Sequence, residues 1–225
     1  MRDRPRPTYA PMAFLADVHG NLVALDAVLE ELQRRTVTAI YVAGDLLLGG
    51  DAPAEVYKRL RQVDAQCVRG LSDSALVEVA PERLAPEDDR QRGLAEQFLN
   101  TRTAIGELAL KYLEKLPEKL RIPMIDGSEI LMVHGSPADP SVEISHDLED
   151  DEVLALVDGD PAEIIVCGAT HVPCSRTLEE FRLVNVGSVG QAPEGKVAHY
   201  TIVTPRMDGT LIEQNWVAYG PDSTD

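Results

Sequence analysis

A chain of 225 residues, 44% hydrophobic and 26% charged, can bury a substantial core; this excludes peptides and disulfide scaffolds and points to one folded domain, or one core with an insertion. Against 21 Lys and Arg stand 38 Asp and Glu, a net charge of −17, so nucleic acid and anionic membranes are not expected partners. An anionic small substrate is repelled too, and phosphate chemistry on this chain requires a neutralising group, for which a bound metal cation is the obvious candidate.

In chain order, residues 1–11 are proline-rich and read as a loose lead-in; the apolar stretch after them is cut short by Asp17 and does not make a signal peptide. Met12 to Leu15 reads as a strand, and Leu22, Leu25, Val28, Leu29 and Leu32 follow at helical spacing. Ala39 to Ala43 is a second strand, with a helix carrying Val56, Leu60 and Val63 behind it, and Gln66 to Arg69 a third. Repeated βα units predict a parallel sheet with right-handed crossovers. From about 74 to 122 the pattern turns helical, with Leu94, Phe98, Leu108, Leu110 and Leu116, and reads as an insertion. Phe98, Leu99, Leu108, Leu110 and Tyr112 are expected in its core rather than on a partner face.

The rest is mostly strands: Glu129 to Val133, Ile164 to Cys167, Arg182 to Val186, His199 to Val203 and Thr210 to Ala218, with a short helix at Val153 to Val157 after the acidic run Asp147 to Glu152. The expected fold is an α/β sandwich of two sheets. No run reaches transmembrane length. Cys67, Cys167 and Cys174 make no C-x-x-C pair, which suits a reducing, cytoplasmic setting.

Chemistry concentrates where apolar runs end. Asp17, His19, Asp45, His134 and His171 each lie at or just past such an end, the edge at which open α/β sheets gather ligands. Asp17 and His19 are two apart, so in extended chain both side chains point to one side and can meet on one cation. Asn21 is a good N-cap for the helix behind it, whose backbone N–H groups would face an anion near the metal. Asp45 follows Gly44, where the missing β-carbon allows close backbone approach, and its two oxygens can bridge two cations. Mixed nitrogen and oxygen donors suit manganese, iron or zinc rather than calcium. His146, in an acidic loop, and His199, at a strand start, are expected to be solvated or packed.

With Asp17-Val18-His19-Gly20-Asn21, Gly44-Asp45, Gly70-Leu71-Ser72-Asp73, His134-Gly135 and Gly168-Ala169-Thr170-His171 in this order, the chain resembles the calcineurin-like metallophosphoesterases, in particular their small bacterial and archaeal phosphodiesterase branch. Asn185 to Gln191 resembles a further family segment, with Val186 where proline is usual. The resemblance implies a four-layer αββα sandwich and a two-metal site that activates water for in-line attack on a phosphate ester. It implies Asp17, His19 and His171 as ligands of the first metal, Asp45 as the bridge, and His134 as a ligand of the second.

Three positions depart from the family pattern: Leu71 for asparagine, Ser72 for histidine, and Ala169 for the first histidine of G-H-x-H. Two divalent cations about 4 Å apart repel by roughly 16 kcal/mol at an effective dielectric of about 20. With Leu71 and Ala169 offering no donor, and leucine adding apolar bulk, one tightly bound metal is expected rather than two. A single metal still polarises a phosphoryl oxygen and acidifies water, so weakened hydrolysis of a small phosphorylated or nucleotide-like compound is expected. Asp73 and Ser72 are candidates to contact substrate or water, Asp73 in a catalytic role beside Asp17 and Asp45. The alternative is a non-catalytic module that binds metal or nucleotide in the same pocket.

Overall fold

The structure, a computed structural model, describes residues 10–157, 159, 162–178, 181–206 and 209–220; most of the proline-rich lead-in falls outside them. Among the described residues ten strands form two five-stranded mixed sheets. The first has the order β10-β9-β1-β2-β3, built from β1 (Met12–Leu15), β2 (Ala39–Ala43), β3 (Gln66–Val68), β9 (Val197–Thr204) and β10 (Leu211–Ala218). The second has the order β4-β5-β6-β8-β7, built from β4 (Lys119–Pro123), β5 (Glu129–Val133), β6 (Ile164–Cys167), β7 (Pro173–Thr177) and β8 (Arg182–Val186). Strands β1, β2 and β3 run parallel, as do β5, β6 and β8.

Strand alternation explains the layering. Ala13, Leu15 and Val42 point outward to α1 (Leu22–Arg34), α2 (Pro53–Gln62), α3 (Leu71–Glu78) and α4 (Asp89–Glu114). Met12, Phe14, Ala16, Tyr41 and Ala43 point inward, where they meet Ile130, Met132, Val166, Val184 and Val186 of the other sheet. The far face of that sheet, with Leu131, Val133, Ile165 and Leu183, is covered by Val153 and Val157 of α5 (Asp150–Val157). The period of two thus serves three apolar layers, and the result is the expected four-layer αββα sandwich.

Differences from the sequence reading are local. The helical segment ends at Glu114, and Lys119–Pro123 is a strand, so its boundary lies earlier than about 122. Strand β7 did not stand out in the sequence. Helix α5 takes in Asp150, Asp151 and Glu152 as its first turn, where carboxylates oppose the positive helix end. Helix α4 is interrupted at Gly106, whose φ of 67° and ψ of 178° are not helical. Of its apolar residues Phe98 is buried and Leu110 and Tyr112 pack against the core, whereas Leu99 and Leu108 are exposed. Arg102 anchors α4 to α3 by donating to the carbonyl of Leu76. Among the described residues no helix is long and apolar enough to cross a membrane.

Phe14 is fully buried between the sheets and its ring stacks on Tyr41 with centroids 5.1 Å apart. Phe14→Ala is expected to destabilise the fold by about 3–5 kcal/mol, measured as a shift of the denaturant midpoint at unchanged slope. A loss below about 1 kcal/mol would mean that the two sheets do not share this core.

Candidate metal centre

Every candidate ligand follows a parallel strand. Asp17 and His19 leave β1, Asp45 leaves β2, His134 leaves β5, and His171 lies in the loop after β6. Both sheets present these strand ends at one edge, and the loops interlock there. Asp17 N donates to the Gly44 carbonyl at 3.1 Å, His19 N to Asp45 O at 3.0 Å, and Gly168 N to His134 O at 2.9 Å. Gly44, at a φ of 83°, is required: a β-carbon on it would stand 2.7 Å from both Gly70 Cα and His134 Nδ1.

The five side chains converge. Asp17 Oδ1 lies 3.4 Å from His171 Nε2 and 3.7 Å from His19 Nε2, and those two nitrogens are 3.2 Å apart. Asp45 Oδ2 is 3.8 Å from His19 Nε2, and Asp45 Oδ1 is 3.5 Å from His134 Nε2. Two groups of donors, Asp17 with His19 and His171, and Asp17 with Asp45 and His134, each have ligand atoms within 4.8 Å of one another.

Outer contacts orient these donors. His19 Nδ1 lies 2.7 Å from Leu48 O and His134 Nδ1 lies 2.7 Å from Ala43 O. A carbonyl can only accept, so each ring carries its hydrogen on Nδ1 and turns Nε2 toward the cluster. Asp17 Oδ2 accepts from Ala169 N at 3.1 Å, and Asp45 Oδ1 from Ser72 N at 2.8 Å. Asp17 Oδ1 is buried and has no hydrogen-bond partner. An unpaired buried carboxylate oxygen is costly, and a cation between it and two imidazole nitrogens removes that cost. The residues therefore fit a divalent metal.

The backbone is unusual at the same place. Asp17, His19, Asp45, Ala169 and His171 all have φ between 49° and 70°, a region that costs side-chain-bearing residues energy and clusters at functional sites.

Electrostatics follow from burial and pairing. Burial pushes the Asp17 carboxyl up, but His171 and His19 at its oxygens and the charge of His134 outweigh this and hold it below the usual range. Burial disfavours charge on His19, yet the carboxylates of Asp17 and Asp45 raise its pKa overall; His134 is raised likewise by Asp45 and Asp17. Asp73 is pushed up to about 6 by burial and the neighbouring Asp45 charge.

The other expected residues fall into place around the cluster. Asp73 is fully buried, and its two oxygens accept from Leu46 N and Gly70 N at 3.0 Å each; it braces the loop behind Asp45 and has no surface to offer a substrate. Ser72 Oγ is buried without a partner beside that loop. Asn21 caps α1 through Ala24 N at 3.1 Å, while its amide nitrogen donates to Gly190 O and Tyr219 Oη, both at 3.1 Å. Leu71 is 56% exposed, so it does not fill the centre with the expected apolar bulk. His146 is exposed and His199 is buried, its Nδ1 accepting from Ser188 N at 3.3 Å. None of the three cysteines forms a disulfide among the described residues.

Asn185 was not assigned a part by sequence reasoning beyond its segment. Its amide donates to Gly168 O at 2.7 Å and Thr170 Oγ1 at 2.9 Å, securing the loop that carries His171. Ser188 Oγ donates to Asp17 O at 2.9 Å.

A family model, the calcineurin-like phosphoesterase superfamily domain, matches residues 11–208. The chain belongs to this superfamily. It is 29% identical over 199 residues, 82% of this chain and 78% of the other, to an uncharacterized protein of Methanocaldococcus jannaschii. A crystal structure of a metallophosphoesterase from Sphaerobacter thermophilus aligns with a TM-score of 0.74 at 26% identity, over 95% of this chain and 90% of that one. A hypothetical protein from Pyrococcus horikoshii aligns with a TM-score of 0.79 at 23% identity, over 94% and 89% of the two chains; the latter likeness concerns the fold. The superfamily uses divalent metal and acts on phosphoesters, in keeping with the two donor groups.

Because pairing with carboxylates raises the pKa of His19 and His134, protons and metal compete for their nitrogens. Metal binding is expected to release protons, and affinity to fall as pH drops below the raised histidine values. Calorimetric titration in buffers of different ionisation enthalpy measures this; a metal enthalpy independent of buffer would refute the assignment of imidazole ligands.

Proposed function

We propose that the protein is a metal-dependent phosphoesterase that hydrolyses a small phosphate ester or nucleotide-like compound by attack of water on phosphorus. The observation that carries this reading is the buried, unpartnered Oδ1 of Asp17 facing two imidazole nitrogens. Asp17, His19 and His171 would hold one tightly bound divalent ion, manganese, iron or zinc, beside the donors of Asp45 and His134. When bound, the ion supplies Lewis acidity toward a phosphoryl oxygen and lowers the pKa of water.

The chain's own groups do the rest. The carbonyls of Leu48 and Ala43 hold the Nδ1 hydrogens of His19 and His134 and so aim both Nε2 atoms at the cluster. Ser72 N fixes one oxygen of Asp45, leaving the other to accept a proton from the attacking water. The unpaired Ser72 hydroxyl is the group suited to donate to a phosphoryl oxygen. Asp73 is a positioning residue: by gripping Leu46 N and Gly70 N it sets the backbone from which Asp45 projects. Ala169 contributes only its backbone N–H, to Asp17.

Leu71 and Ala169, which offer no side-chain donor, favour a second reading, a non-catalytic module that binds metal or nucleotide. Elemental analysis together with hydrolysis of bis(p-nitrophenyl) phosphate in manganese separates the two. We expect one metal per chain and slow turnover, reduced at least about a hundredfold in Asp17→Ala and Asp45→Ala. Two metals with ready turnover would overturn the single-ion reading; one metal, no turnover and saturable nucleotide binding would establish the module instead.

A further inference from the structure

His199 lies outside the cluster of candidate ligands, yet its side chain is built into the loop that holds Asp17. The residue is 5% exposed and sits near the start of β9, the strand that pairs with β1. Its backbone and its ring both engage Ser188: His199 N donates to Ser188 O at 2.9 Å, and Ser188 N donates to His199 Nδ1 at 3.3 Å. Gly187 makes room for this ring. At its φ of 73°, a β-carbon there would stand 2.6 Å from His199 Nδ1.

From Ser188 the contacts run to Asp17. Ser188 Oγ donates to Asp17 O at 2.9 Å and accepts from Gln191 N at 2.8 Å. Gly190 N donates to the same Asp17 carbonyl at 2.9 Å, and Val189 N to Ala16 O at 3.0 Å. Asp17 needs such a grip, because its φ of 54° is a left-handed conformation that costs a side-chain-bearing residue energy. Residues 188–190 hold its backbone on one side, and His199 holds Ser188 on the other.

The direction of the hydrogen bond fixes the tautomer. A backbone N–H can only donate, so Nδ1 of His199 is bare and the neutral ring carries its hydrogen on Nε2. That nitrogen faces Glu194 Oε2 at 3.5 Å, a carboxylate oxygen that favours a hydrogen there. The arrangement is the reverse of that at His19 and His134, whose hydrogens sit on Nδ1. Burial holds the His199 imidazole below its usual pKa, with the Glu194 charge opposing, which keeps the ring neutral at neutral pH.

From this we infer that His199 is a positioning residue for the metal centre: through Ser188 it fixes the backbone from which the Asp17 carboxylate reaches the cluster, and it does so only as the neutral Nε2–H tautomer. The inference rests on the phosphoesterase reading for Asp17 as a metal ligand, and no part of it depends on turnover.

The test uses the full chain, zinc as the metal, and the variants His199→Asn and His199→Leu. Asparagine sets an amide oxygen near the place of Nδ1 and still accepts from Ser188 N, whereas leucine fills the space and accepts nothing. We expect His199→Leu to weaken zinc binding about tenfold and His199→Asn to stay within about threefold of the parent chain, measured by competition with a chromophoric chelator. Hydrogen exchange at the Val189 and Gly190 amides of the zinc-loaded protein is expected to follow the same order, faster in His199→Leu and nearly unchanged in His199→Asn. Ring nitrogen NMR shifts of the unsubstituted protein are expected to show His199 protonated at Nε2 and bare at Nδ1, a measurement that stands even if His199→Leu fails to fold. Zinc affinity unchanged in His199→Leu, equal losses in the two variants, or a ring protonated at Nδ1 would overturn the assignment. If affinity, exchange and tautomer come out as expected while no phosphate ester is turned over, the phosphoesterase reading fails and the His199 assignment stands.

Discussion

One oxygen atom constrains the whole molecule. Asp17 Oδ1 is buried between two imidazole nitrogens with nothing in the protein to hydrogen-bond it, an arrangement that is unfavourable unless a cation completes it. The surrounding loops are shaped to hold it there. Val189 N donates to Ala16 O at 3.0 Å and Gly190 N to Asp17 O at 2.9 Å, so the loop after β8 grips the strand end on which the carboxylate sits. Five side-chain-bearing residues at this edge accept left-handed backbone, and the sandwich beneath supplies the packing that sustains such strain.

Much of this was legible in the sequence because the central strands are short unbroken apolar runs. Met12 to Leu15 and Ile164 to Cys167 are buried on both faces, which writes a continuous rather than alternating pattern, and the polar residue that ends each run marks the functional edge. Two of the edge strands, β4 and β7, escaped for the opposite reason. Strand β7, Pro-Cys-Ser-Arg-Thr, has one side open and is only partly buried, so its sequence reads as loop, as edge strands often do. Strand β4 carries Lys119 and Arg121 toward solvent and continues the polar character of the helical segment before it.

The site divides along the same line. Candidate ligands separated by as many as 154 positions, such as Asp17 and His171, were recognisable because each follows a strand. Ala169 and Ser72 reach the ligands only through backbone N–H groups, and no residue type encodes that.

The candidate ligands come from both halves of the sandwich: Asp17, His19 and Asp45 from the first sheet, His134 and His171 from the second. None of the three cysteines forms a disulfide among the described residues, so no side-chain covalent bond of that kind ties the two sheets together. A divalent ion gripped from both would act as a rivet through the seam. Shearing the sheets apart would then require stripping its coordination, so that occupancy of the centre and mechanical coherence of the sandwich would rise together.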